Sequence, residues 1–511
     1  MKLFLRRNSP VLYMMLAMVV LYAPWMGRGY VNLEYPFSMA ARALSDSRYA
    51  GQIDTYFAVQ ANPLGYSFVL AIIYKIFGYH DWFWLAKLPS LCGALMILVS
   101  GWMLTRDRWQ SRRSLFYIWC GLVILHPMII AFGTAATADV LPVGLLMLAI
   151  AIAIKSADNE IVSKIVAALL FGFSIIVKYN SVYFAGAFLA VAFLKRSKKS
   201  TSVTLISRDV AIFASFPLIT LVTYIVWLNA KFNVFVSNGL AGGSPNFFNV
   251  LNWSLTFGKY LSFLGLFIGI FPLVMILNET RQSSERLKKL VIMVGLVLIG
   301  WFVLSWRVMG EMDFGGGFYI ASNRSRILET FGFLSGVFVC LFVFRQFRNH
   351  DRVTEVLISG LAPYLLLISA SRPSQRYLIY IVPISLLLLI YVSDVLSAKL
   401  RNLTLGLTAL GFAAVSLLGM SYLRAQGNAS ENMAVWMEQN RVIDQSSASP
   451  IGVHAGQHFY GITSSEIKYE VIQTSLEGEK LITERILHRE AMNVLGKITR
   501  VYVLRELPKI P

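Results

Sequence analysis

Cysteine is nearly missing from this chain. Cys92, Cys120 and Cys340 are its only three, and each falls inside an apolar run, which excludes a disulfide framework or a cysteine-based zinc site. Charge is scarce too: 14% of residues are Asp, Glu, Lys or Arg, where a soluble domain carries about 25%. Acid is the scarcer sign, with 27 residues against 46 basic ones. No tandem repeat, long low-complexity linker, phosphate loop or dinucleotide motif occurs. What fills the sequence instead is apolar. Hydrophobic residues make up 56% of the 511, which marks an all-α polytopic membrane protein.

Apolar stretches near spanning length recur at about 10–26, 84–104, 115–133, 138–154, 163–177, 181–194, 210–228, 260–277, 290–306, 327–344, 354–370, 377–393 and 403–420. The segment from Pro63 to Gly78 is harder to place. At about 1.5 Å per residue it reaches roughly 24 Å, short of a hydrocarbon core of about 30 Å, and it contains Lys75. If it lies along the outer surface while the other thirteen cross, 23 of the 46 Lys and Arg fall on the inner side and 13 in outer loops, leaving 10 in the tail after Tyr422. Short basic loops resist translocation, so this sorting predicts about thirteen spans in a multi-pass protein of the plasma (inner) membrane. The net charge of +19 then mostly describes inner loops beside anionic lipid. With neither a basic domain nor a recognised nucleic-acid-binding fold, no nucleic-acid partner is expected. The N-terminal MKLFLRRNSP leads into a run that ends in APWMGRGY without a small-x-small cleavage site, so it is read as a retained first helix.

The chain changes character near Arg424. Residues 1–423 form the membrane domain, in which the outer loop 27–83 carries the chemistry, and 424–511 form a small extracytoplasmic α/β domain. In that tail ENMAVWMEQNRVID and the stretch around ITERILHREAMNVL read as helices, whereas PIGVHAG, EIKYEVIQ and TRVYVLRE read as strands.

The chemistry-bearing candidates gather at helix ends on the outer side. Glu34, just beyond the first helix in VNLEYPFSMAARAL, can accept a proton from an arriving hydroxyl; alternatively it is a solvated loop acid or a helix N-terminal charge. Asp46 and Asp54 compete for that role. Asp139 in GTAATADVLPVGLL opens a later helix at the same face, where an ionisable side chain needs a partner or solvent. Lys178, between two short spans, and Arg372 and Arg376 in SASRPSQRYLIYIVPIS suit phosphate, or else snorkel to lipid headgroups. The loop RVMGEMDFGGGFYIASNRSR adds Glu311, Asp313, Arg324, Arg326 and three glycines that fit a mobile lid. His454 and His458 lack further ligands at metal spacing. Charge at the rim and little at the middle of the spans favours interfacial chemistry on an anionic lipid-linked substrate over ion-coupled transport.

The order of these features resembles the GT-C superfamily of membrane glycosyltransferases, in the branch of the protein O-mannosyltransferases and lipid A aminoarabinose transferases. The motifs are LEYPFSMAARAL, ANPLGYSFVLAIIYKIFG, LAKLPSLCGALMIL, TADVLPVGLLMLA, IIVKYNSVYF and QRYLIYIVPIS, in that sequence. The resemblance implies a sugar transferred from a polyprenyl phosphate donor to a hydroxyl of a glycan, lipid or protein acceptor. It places the base at Glu34, with Asp139 second, and the donor phosphate on Lys178 and Arg376; beside it, Arg372 is a further phosphate candidate, and Asp54, Asn62 and Arg324 are candidate acceptor or lid residues. It implies no cofactor and no obligatory metal, although a divalent cation is compatible with so many carboxylates. Leu33-Glu34 replaces the paired Asp-Glu of many members, and Ala61-Asn62-Pro63-Leu64 replaces a charged or His residue before a double proline. The competing reading is a transporter or flippase of lipid-linked sugars.

Overall fold

The structure, a computed structural model, describes residues 2–31, 34–59, 62–78, 83–107, 113–157, 160–194, 203–234, 250–282, 285, 292, 295, 326–347, 351–370, 375–393, 396–442, 446–448 and 468–506. In chain order the helices are α1 (Lys2–Met26), α2 (Glu34–Ser45), α3 (Gln52–Val59), α4 (Gly65–Phe77), α5 (Phe83–Thr105), α6 (Arg113–Leu125), α7 (Pro127–Gly133), α8 (Val140–Lys155) and α9 (Ile161–Val177). They continue as α10 (Ala185–Phe193), α11 (Val203–Phe232), α12 (Val250–Ile268), α13 (Phe271–Gln282), α14 (Arg326–Phe347), α15 (Arg352–Ser369), α16 (Val382–Val392) and α17 (Ala398–Gln439). The C-terminal part adds β1 (Ser446–Ala448), β2 (Tyr469–Thr474), the one-turn α18 (Leu476–Glu479), β3 (Ile486–Val494) and β4 (Lys497–Glu506).

Among the described residues, five helices are long and apolar enough to cross a membrane: α1 from Asn8, α5, α11, α15 and α17. The chain is a multi-pass membrane protein. The expected span at 115–133 is bent by 62° between α6 and α7. Pro127 lacks the N–H that α6 would need to continue, and it suits the first position of a new helix. His126 caps that helix, its Nδ1 accepting from the Met128 N–H at 3.2 Å. The span at 260–277 is likewise broken, by 92° between α12 and α13, where Gly269 takes φ +82°. The other expected stretches also fall on helices, but those at 138–154, 163–177, 181–194 and 377–393 lie on helices shorter than a full span, and at 290–306 only Ile292 and Gly295 are described, both helical.

Several helices are shorter than a bilayer, and α8 among them lies inside the protein. α8 is apolar all round, as a helix sheltered on every side can be, and nearly all its residues are buried. It crosses α5 at Gly93 and Gly144, where a Cβ on Gly144 would sit 2.2 Å from the Gly93 carbonyl oxygen. Only glycine allows that approach, the small-residue packing by which helices associate in lipid. α4 has 13 residues, too few to cross. It buries the face of Tyr66, Leu70 and Tyr74 against its neighbours and leaves Ile72, Ile76 and Phe77 exposed.

The change in composition at Arg424 coincides with no break in the backbone. α17 runs 42 residues without interruption from the last apolar run into the C-terminal part, so ENMAVWMEQ is its final stretch. Beyond it the described residues form a four-stranded sheet in the order β1-β2-β4-β3, with β1 parallel to β2 and the other pairs antiparallel. One expectation is corrected here. The stretch around ITERILHREAMNVL, read as helix from its Leu, Glu, Arg, Ala and Met, is the strand β3, joined to β4 through Leu495 and Gly496, both at positive φ. Two central residues at positive φ make the tight hairpin turn that sets this pairing, and pairing with β4 outweighs local helix propensity. PIGVHAG, with His454 and His458, lies outside the described residues.

Candidate active site at the helix ends

Arg28 and Glu34 form a buried pair that sequence reasoning missed. Arg28 Nη1 donates to Glu34 Oε2 at 2.7 Å and Nη2 to Oε1 at 2.8 Å, a fork-to-fork contact of the kind that fixes geometry as well as energy. The Val31 N–H donates to Oε2 at 2.7 Å and the Ala136 N–H to Oε1 at 3.1 Å. A carboxylate offers about four lone-pair sites. All are occupied at Glu34, which begins α2 and is 1% exposed.

A second buried cation braces the same turn. Lys87 on α5 donates to the carbonyls of Met26 at 3.0 Å and Arg28 at 2.6 Å, and so fastens the end of α1. Arg28 Nη2 also donates to Thr134 O at 3.3 Å, while Ser90 Oγ donates to Thr137 O at 3.2 Å. Three side chains, Arg28, Glu34 and Ser90, thus hold one short loop, 134–139, and Lys87 secures the backbone of Arg28. That loop ends at Asp139.

Asp139 is the N-cap residue of α8, and Lys178 directly follows α9 in an extended conformation. Each charge therefore sits at the helix end that favours it. Both are buried, and Lys178 Nζ donates to Asp139 Oδ1. The same ammonium lies 5.3 Å from the ring centroid of Tyr377, and the Arg376 guanidinium 5.7 Å from that ring, close enough to add to the positive field at Asp139. Two 3-10 turns, 179–184 and 375–380, present these groups. Tyr380 Oη, 3.1 Å from Ser181 Oγ, joins the two turns, and Tyr364 of α15 supports the second, stacking on Tyr380 at 5.1 Å and donating from Oη to Tyr377 O at 2.8 Å.

The segment Asn62-Pro63-Leu64 closes another side. Tyr56 Oη donates to Asn62 O and Pro63 O, and the Leu64 N–H donates to Tyr224 Oη at 2.8 Å. Gly65 then touches the last turn of α9; a Cβ there would lie 2.4 Å from Ile176 O, two residues before Lys178. The structure so brings Asp139, Lys178 and Arg376 into one cluster. Glu34 is tied to it through Ala136, three residues from Asp139 and so within about 11 Å of it along the backbone. Asp54 stands apart, exposed on α3. Asp46 caps an exposed turn, where hydrogen bonds from Arg48 hold its carboxyl below the usual range. Arg372 and Arg324, with Glu311 and Asp313, lie outside the described residues. Among the described residues no group of three or more His, Cys, Asp or Glu is placed to hold a metal ion.

No protein-family model matches the chain, and no curated protein matches its sequence. Among solved structures it is similar over nearly its whole length to ArnT from Cupriavidus metallidurans. Against the apo state the TM-score is 0.54 at 13% identity, covering 97% of this chain and 98% of ArnT. The chain shares the fold of ArnT. A second ArnT structure, bound to undecaprenyl phosphate, gives a TM-score of 0.52 at 13% identity over the same shares of both chains. The architecture implied by the order of motifs is therefore the one found, with its smaller β-containing part at the C-terminal end.

Proposed function

We propose that this protein is a glycosyltransferase that moves a sugar from a polyprenyl phosphate carrier to an acceptor hydroxyl at the extracytoplasmic face of the inner membrane. The observation that carries the reading is the buried Asp139–Lys178 pair beside Arg376, on a fold shared with a protein whose structure holds undecaprenyl phosphate. The donor phosphate competes with Asp139 for the Lys178 ammonium and takes Arg376 as its second cation. Asp139, released from Lys178, accepts the proton of the acceptor hydroxyl. The acceptor oxygen attacks the anomeric carbon, the bond from that carbon to the phosphate oxygen breaks, and polyprenyl phosphate leaves with the electron pair. Lys178 and Arg376 meet the charge that develops on it. A single displacement inverts the linkage, and no cofactor is needed. Glu34 is the weaker candidate for the base because its lone pairs are already filled. Charge sorting of the loops places the C-terminal part outside.

The test uses purified protein in vesicles with a labelled polyprenyl phosphate sugar, hexose and pentose in separate arms, and a panel of glycan, lipid and peptide acceptors. Release of polyprenyl phosphate matched by label on an acceptor is the expected result. Movement of intact donor across the bilayer with no bond broken means a flippase. Arg376→Ala weakens donor binding about 10- to 150-fold, the value of one charge-assisted contact of about 1.5–3 kcal/mol. Titration with unlabelled polyprenyl phosphate measures it.

A further inference from the structure

The C-terminal sheet carries an apolar tip that neither the site nor the core uses. Its direction follows from one contact. The His488 ring at the start of β3 stacks face to face on Trp436, with centroids 4.3 Å apart and planes 4° from parallel. Trp436 lies three residues before the end of α17 at Gln439, and β3 packs along that helix, with Met492 in the same core as Ala429 and Met433. With so little helix left beyond Trp436, β3 can only run back toward the apolar part of α17. From His488 to Val494 is about 20 Å at roughly 3.3 Å per residue. The same distance takes about 13 residues of helix at 1.5 Å each, which brings the hairpin tip level with Arg424.

That level is the edge of the lipid-facing surface. Leu403, Leu407, Leu410, Leu417 and Leu418 are exposed along α17, and the first exposed charge after them is Arg424. At the tip Leu495 is 65% exposed and Ile498 42% exposed, with exposed Lys497 between them. Leu495 also holds φ +49°, a conformation that suits Gly or Asn and strains leucine, so the turn itself does not call for an apolar residue there.

We propose that the Leu495–Ile498 tip docks into the bilayer surface, with Leu495 and Ile498 among the upper acyl chains and Lys497 on anionic headgroups. An apolar pair with an adjacent cation suits a negatively charged leaflet. The inference rests on α17 crossing the membrane and is independent of sugar transfer.

The experiment places the photo-cross-linker benzoylphenylalanine at Leu495, or at Lys468 as a control, in the full-length protein. Lys468 is exposed beside Tyr469, whose partner in the sheet is Glu506, at the end opposite the tip. Vesicles contain phosphatidylglycerol and phosphatidylethanolamine, and intact mass reads the adducts after illumination. The expected result is a phospholipid adduct at 495 in at least tenfold excess over 468. Lys497→Glu should lower the yield at 495 several-fold in these vesicles and leave it unchanged in neutral phosphatidylcholine. Equal adducts at both positions, no adduct at 495, or cross-links from 495 to a second protein copy overturn the proposal.

Discussion

Asp139→Asn lowers the turnover of sugar transfer by about 10²–10⁴, the usual contribution of a general base, while donor binding holds or tightens. The split follows from the pair. In the resting protein the Asp139 carboxylate occupies the Lys178 ammonium. A donor phosphate must displace that carboxylate to reach the cation, and the neutral amide is a weaker competitor. Melting temperature falls in either case, because the substitution leaves a buried Lys178 uncompensated; if Asp139 only stabilised the structure, donor binding would fall with it. Single-turnover kinetics with labelled donor and binding of polyprenyl phosphate by the same preparation separate the two. Unchanged turnover removes Asp139 from the base role and returns that role to Glu34. Lys178→Ala gives the opposite pattern, with weakened binding dominating because the phosphate loses a cation.

Much of this site can be read from residue order because its charges are anomalies. Basic residues sort to the inner loops, so a cation on the outer side at a helix end, such as Lys178 or Arg376, stands out against the background. The sequence could not reveal which charges would cancel. Arg28 flanks the first helix and Lys87 lies within LAKLPS, yet both break the same sorting rule: Arg28 braces the loop leading to Asp139, and Lys87 holds the backbone of Arg28. That signal was available. Contacts between backbone and side chain were not, since the Ala136 N–H and the Met26 carbonyl leave no trace in composition. The β3 strand was hidden for a related reason: its helix-forming residues are overruled by a hairpin whose turn has Leu495 where Asn or Gly would have announced it.

Breaking the Arg28–Glu34 pair from one side costs about 3–5 kcal/mol of stability, because it strands a charge in a buried place. Arg28→Met leaves the carboxylate to two backbone amides. Glu34→Gln turns an NH2 group toward the guanidinium. Each variant should unfold at distinctly lower temperature in detergent, and each should lose donor binding as well as turnover, because loop 134–139 loses its anchors at Thr134 and Ala136. The double variant Arg28→Met/Glu34→Leu removes both charges and recovers part of the loss. Recovery stays incomplete because the N–H groups of Val31 and Ala136 lose their acceptor, at about 1–3 kcal/mol for each donor left unmet. Thermal unfolding of the two single variants and the double variant forms a cycle whose coupling energy is large and favourable if the pair is a structural clamp. A Glu34→Gln protein that melts like the unsubstituted one, binds donor normally and fails only in turnover contradicts the clamp. It would make Glu34 the base after all, and the carboxylate would then have to leave Arg28 during the reaction.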